Sequence, residues 1–179
     1  MAIDQNVLLH ASASYDEALN QEFAPGYSLV PVPKKRIYIS HSLESFRMVE
    51  GFIVLMRRAG MDAYFDWESG LITDDLRYHV NRDTKVRIAK ADVFILLATE
   101  KSVKDPGCMK ALEFASIINR RIYVVHTTSA NHEWKLDDER VFNQLSIERS
   151  MKAIDRYTVK VLEKRRRQLW LTVGNAGLL

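Results

Sequence analysis

Two rhythms of apolar and polar positions alternate along the chain, and their changes mark the elements. Residues 36–40 (RIYIS) read as a strand. Across 43–59, Phe46, Val49, Ile53 and Met56 recur at helical spacing, and Gly60 follows in the usual C-terminal position of a helix. Residues 62–65 read as a short strand. Thr73 then caps a helix that opens on Asp74 and Asp75, which suit a helix N-terminus, and that runs to about Ala89. The unbroken apolar run at 93–98 (VFILLA) predicts a strand buried on both faces. Pro106 and Gly107 precede another helix, to about Asn119, and 122–125 read as a fourth strand.

Both flanks have a different texture. Residues 14–19 predict a short helix, after which Pro25, Gly26, Pro31 and Pro33 break regular structure. Residues 1–33 therefore read as an N-terminal extension. Beyond the alternating region, Ile147, Met151, Ile154, Thr158 and Val161 recur at three- and four-residue steps, which predicts a helical face packed on the domain, with an interface to a second chain as the alternative. Residues 168–173 fit either a late strand or a helix end.

The expected fold is thus α/β: a flavodoxin-like parallel sheet of four to five strands with helices on both faces, plus a C-terminal helical extension. The expected divisions are 1–33 (extension), 34–130 (α/β core) and 131–179 (a helical region completing the domain). In such sheets the ligand crevice lies beyond the carboxyl ends of the strands, at the switch point. The segments to inspect are 41–45, 66–72 and 99–108.

Composition narrows the class. The 179 residues make one domain and some extra, and 47% hydrophobic against 27% charged residues leaves material for a core. Cys108 is the single cysteine, so an intrachain disulfide and a four-cysteine zinc site are excluded. No apolar run approaches the roughly 20 residues of a membrane span. The first residues have neither a basic start nor an apolar h-region, so a cytoplasmic location and no membrane partner are expected. The four charges at 164–167 (KRRR) exceed the net +3, which leaves the rest near neutral. Nucleic acid is not an expected partner; that run reads as a solvated helix end, with contact to an acidic partner or to nucleic acid as the alternatives. The histidines form no ligand-spaced pair, so no metal is expected, and no P-loop, GxGxxG or nucleophile elbow occurs.

RIYISHS, an amphipathic helix ending at Gly60, AYFDWESG, KADVFILLATEKS and GCMKALEFASIINRRIYVV follow one another in the order and spacing of a TIR domain. The chain resembles that family over roughly half its length. It is also similar to the nucleoside 2-deoxyribosyltransferases, whose late motif Asp-x-Gly-x-x-x-Glu is matched at Asp105 and Gly107. The resemblance implies cleavage of an N-glycosidic bond. In enzymatic TIR domains the substrate is NAD+, there is no separate cofactor, and the products are nicotinamide plus hydrolysed, cyclised or conjugated ADP-ribose. As nicotinamide departs, the ribose gains oxocarbenium character, and a carboxylate beside it stabilises that charge. The TIR pattern Cys-x-x-Glu-Leu puts this glutamate where the chain has Ala111, and the deoxyribosyltransferase spacing arrives at the same residue. With the flanking motif intact, alanine reads as an engineered Glu-to-Ala change; the plainer alternative is an ordinary helix alanine in a naturally inactive relative. Either way the chain as written is expected to be nearly inactive. Glu113 lies about 200° around the helix from position 111 and so is expected to face away.

The resemblance also implies roles around the crevice. Glu68 aligns with an acidic position that supports the site in some TIR NADases. Ser40, His41 and Ser42 occupy a loop that contacts the nucleotide, and His41 is suited to a ribose or phosphate, or is simply a loop histidine. Asp66 and Thr99 leave strand ends. Trp67 offers a flat face for nicotinamide or adenine, or else caps the core. Glu100 reads as a solvated loop charge, and Cys108 as a packing residue rather than a nucleophile. Gly107 stands where many animal TIR domains carry tryptophan, which brings the chain closer to bacterial TIR-like proteins. The size resembles the signal-producing subunit of the Thoeris antiphage system, which implies a nucleotide signal acting on a separate effector, and self-association through TIR surfaces. The rival readings are a nucleoside deoxyribosyltransferase-like enzyme and a non-enzymatic TIR scaffold.

Overall fold

The computed structural model describes residues 2–20, 34–61, 63–67, 82–130, 132–136, 142–150, 157–163 and 171–173. Strand and helix alternate through its centre. β1 (Ile3–Asp4) leads into α1 (Gln5–Ser12) and α2 (Tyr15–Asn20). Then come β2 (Lys35–Ser40), a 3₁₀ turn (Leu43–Ser45), α3 (Phe46–Arg58), β3 (Ala63–Asp66), α4 (Arg82–Lys90), β4 (Val93–Ala98), α5 (Pro106–Ile117) and β5 (Arg121–Ser129). β6 (His132–Trp134), β7 (Asn143–Arg149), β8 (Tyr157–Leu162) and β9 (Leu171–Val173) complete the order.

Local chemistry explains the helix boundaries. Asp105 caps α5 by accepting the Cys108 N–H at 3.0 Å, and Pro106 follows it, where a missing N–H costs nothing. α3 ends in a Schellman turn: Gly60 takes φ 82°, its N–H reaches Arg57 O at 2.8 Å, and Met61 N–H reaches Met56 O at 3.0 Å. Asn119 does the same for α5 at φ 56°, with its own N–H on Ser116 O and Arg120 N–H on Ala115 O. Of the four apolar positions expected on α3, Val49, Ile53 and Met56 are buried, whereas Phe46 is exposed.

The strands form one sheet in the order β3-β2-β4-β5-β7-β8-β9, with β1 and β6 paired to the far end of β5. β3, β2, β4, β5 and β7 run parallel; β8 and β9 are antiparallel to their neighbours. β4 is buried along its whole length. Alternate strand residues feed two apolar layers. Ile37, Ile39, Ile95, Leu97 and Val125 pack under α1 and α3, while Tyr38, Phe94, Leu96 and Ile122 pack under α4 and α5. The α/β class, with a mainly parallel sheet covered on both faces, is therefore established.

Two expectations are adjusted. Along the main path five strands run parallel, within the four to five expected, but among the described residues the sheet has nine strands in all and its antiparallel end makes it not specifically flavodoxin-like. The expected C-terminal helical extension is strand in its described parts. Ile147 lies on β7, Thr158 and Val161 lie on β8, and the buried apolar residues Leu145, Ile147, Val159 and Val161 follow a period of two within each strand. The three- and four-residue steps had bridged two strands; Met151 and Ile154 lie outside the described residues. β9 resolves the open question over 168–173 in favour of a strand at 171–173. Residues 2–20 hold the short helix expected at 14–19, as α2, and pack on the sheet. β1 pairs with Thr127 and Thr128, Gln5 Nε2 donates to Thr127 Oγ1 at 2.9 Å, and α1 packs on α3.

Candidate functional site

β3 and β4 follow β2 in sequence but lie on opposite sides of it, so the strand order reverses between β2 and β4. This is the switch point at which doubly wound sheets open a crevice. Two loops leave it side by side, 41–45 from β2 and 99–105 from β4.

Five hydrogen bonds form one connected network here, with Ser45–Thr99 the link between the loops. Ser102 Oγ donates to Leu97 O at 2.6 Å, and Thr99 Oγ1 donates to Ser102 Oγ at 3.2 Å. Each hydroxyl has one proton. Ser45 must therefore donate to Thr99 Oγ1 at 3.0 Å, and Ser42 to Ser45 Oγ at 2.8 Å. The chain of hydroxyls runs one way, from Ser42 to the Leu97 carbonyl. Thr99 N–H also donates to Ser102 Oγ at 2.7 Å. All four hydroxyl residues are buried, where a satisfied network stiffens its surroundings.

This arrangement changes the meaning of several expected site residues. Ser42 and Thr99 are brought together, and their hydroxyls serve each other's loops through Ser45. Ser40 is buried at the end of β2. His41 is half-buried; its Nδ1–H donates to Ser42 O at 2.7 Å, which sets the ring tautomer. Asp66 ends β3 and accepts both Nε and Nη2 of Arg87, and the same Arg87 Nη2 donates to Trp67 O at 2.9 Å. That fork fixes the exit of β3 from α4. Trp67 meets Tyr15 of α2 edge-on, with ring centroids 5.8 Å apart, and packs on the larger apolar layer. Glu68 lies outside the described residues. Glu100 is exposed and pairs with Lys104 at 3.2 Å.

Position 111 sits on the second turn of α5. Its methyl group is 4% exposed and belongs to the layer formed by Tyr38, Phe94, Leu96, Cys108, Leu112 and Ala115. Cys108 is buried in that layer as well. Glu113 is exposed, on the outer side of the helix. No carboxylate of α5 therefore enters the sheet-facing side of this helix.

Sequence reasoning missed Ser45, Ser102 and Arg87. Thr99 and Ser102 stand three apart in a loop after a strand, a spacing that favours side-chain to backbone turns. Arg87 had no such signal, since its partner is 21 residues away. A cleft of about 260 Å3 is lined by Arg36, Tyr64, Asp66, Arg87, Lys90 and Ala91, at the β3 edge rather than at the switch point. Burial raises two phenols. Tyr15 is pushed up to about 12, by desolvation first and then by Glu50, against the pull of Arg57. Tyr123 is also raised, with burial the leading cause.

Among the described residues no helix is long and apolar enough to cross a membrane. No protein-family model matches the chain, and no curated protein matches it.

Proposed function

We propose that the chain is a TIR-type α/β domain that does not cleave NAD+ itself and works as a scaffold, by associating with other TIR-type surfaces, its own copies included. One observation carries this reading: where the catalytic carboxylate of a nucleotide glycosidase would stand, a methyl group is packed among Tyr38, Phe94 and Leu96. A carboxylate placed in this apolar layer would lose water, and burying a charge there costs far more than burying a methyl group. The alanine fits its surroundings as a native core residue, so an engineered replacement need not be invoked. The hydroxyls of Ser42 and Thr99 point the same way, both being engaged with Ser45.

A second reading keeps the enzyme. The strand order reverses between β2 and β4, and α5 begins beside that reversal, which is where an NAD+ glycohydrolase or cyclase of this type would hold its substrate. On that reading a glutamate at 111 is all that is missing, and the active form would make a nucleotide signal for a separate effector, as in antiphage defence. A deoxyribosyltransferase-like enzyme would need the same carboxylate.

Ala111→Glu separates the readings. NAD+ and deoxynucleosides are each incubated with the parent chain and with the variant, alone and at concentrations that drive self-association, and products are resolved by chromatography. The scaffold reading expects neither protein to exceed the uncatalysed rate, with light scattering reporting assembly of the parent as concentration rises. Consumption of NAD+ by the variant at about 10²-fold or more above the parent overturns it and restores the enzyme.

A further inference from the structure

We propose that the cleft at the β3 edge binds a phosphoryl dianion, free or as the end group of a phosphomonoester. β2 and β3 place Arg36 directly beside Tyr64 in register, and α4 lays Arg87 and Lys90 over the same opening, with Ala91 at its margin. Three cations and one carboxylate thus line about 260 Å3. The carboxylate does not oppose an incoming anion, because Asp66 is already matched by the Arg87 fork. Nearby Asp92 is likewise engaged: it accepts the Arg36 backbone N–H at 2.9 Å and lies 3.8 Å from Lys35 Nζ.

What remains is an excess of two positive charges. Arg36 and Lys90 form no ion pair among the described residues. Folding gains nothing from gathering them at one opening, since like charges repel even through water. An oxyanion removes that repulsion. The planar guanidinium of Arg36 can meet two phosphoryl oxygens at once, and the Lys90 ammonium supplies a point charge beside it. Tyr64, 59% exposed, adds a phenolic O–H at the rim. Volume selects the ligand size. The cleft falls below the roughly 300–1,000 Å3 of sites that enclose drug-sized molecules, so it suits a phosphoryl group with its hydration rather than a dinucleotide. The site uses no residue of the hydroxyl chain or of position 111, and it stands whether or not the scaffold reading does.

The full-length chain is titrated with inorganic phosphate, with glycerol 2-phosphate and with sodium chloride, all at one ionic strength, following amide shifts in two-dimensional NMR. Saturable one-to-one binding of either phosphate, with shifts centred on Arg36, Tyr64 and Lys90, supports the proposal. The tighter of the two tells whether the group is free or esterified. The double variant Arg36→Gln, Lys90→Gln should lose at least about tenfold in affinity, since two charge-assisted contacts are removed. Its thermal unfolding should be unchanged, because both side chains are exposed. Arg36→Lys should retain part of the affinity. Non-saturating shifts, shifts equal to those from chloride, or undiminished affinity in the double variant would each overturn the assignment.

Discussion

Ser102 Oγ donates to Leu97 O and accepts from both Thr99 N–H and Thr99 Oγ1, so three groups depend on one atom. Ser102→Ala strands the buried Thr99 N–H and removes the side-chain donor to Leu97 O. A buried group left without its partner costs about 1–3 kcal/mol. Urea unfolding should show a loss of that size at unchanged m-value, and an unchanged midpoint would mean that the loops do not rely on this link. The same residues show what a sequence can and cannot reveal about a site. The loops at 41–45 and 99–108 were legible, because strand ends and helix starts are marked by the change in periodicity. The direction of each hydroxyl was not. Ser42 and Thr99 read as ligand contacts, and nothing in their neighbourhood along the chain tells a hydroxyl that faces a ligand from one that faces another hydroxyl.

α1 and α3 meet at Gly51, and there the elements touch backbone to backbone: a Cβ on Gly51 would lie 1.8 Å from Leu8 O. Glycine within a helix ordinarily costs about 0.5–1 kcal/mol relative to alanine, so Gly51→Ala would stabilise a solvent-facing helix. Here it should destabilise by about 1–3 kcal/mol, the range for overpacking a tight contact. It should also loosen α1, which limited proteolysis within residues 2–20 would detect. A raised unfolding midpoint in this variant would show that the helices do not approach so closely. That mid-helix glycine is the available clue that something packs over α3, whereas the prolines at 25, 31 and 33 only set residues 1–33 apart as an extension. Elements were legible where one periodicity persisted, as in β4 and α3. They were lost at the C-terminus, where Ile147, Thr158 and Val161 fell at helical intervals by spanning two strands. β-branched residues are frequent there, which favours strand, and pairing with β5 and β8 settles the matter.

Across the whole molecule, one apolar layer joins α1 and α3 to β2, β4, β5, β7 and β8, and two phenols are tied to it. Tyr123 lies within the layer, and Tyr15 packs against it beside Trp67. For Tyr15 the folded state resists ionisation through burial, then through repulsion from Glu50 and Asp16, while Arg57 acts in the opposite sense. Below the ordinary phenol value of 10.0 both folded and unfolded chains hold the proton, and stability does not depend on it. Between there and about 12 the unfolded chain has released its proton and the folded chain has not. The folded state then binds more protons, so stability must fall as pH rises, until the folded group ionises as well. Tyr123 adds to the loss in the same direction, since its folded form is raised too, with Glu163 reinforcing burial and Arg121 opposing it. Urea midpoints measured from pH 9 to 11.5 should decline, and Tyr15→Phe should decline less steeply, because phenylalanine keeps the ring beside Trp67 and removes the proton. Parallel declines for parent and variant would place the alkaline sensitivity elsewhere and would separate the Tyr15 hydroxyl from the layer that the ring supports.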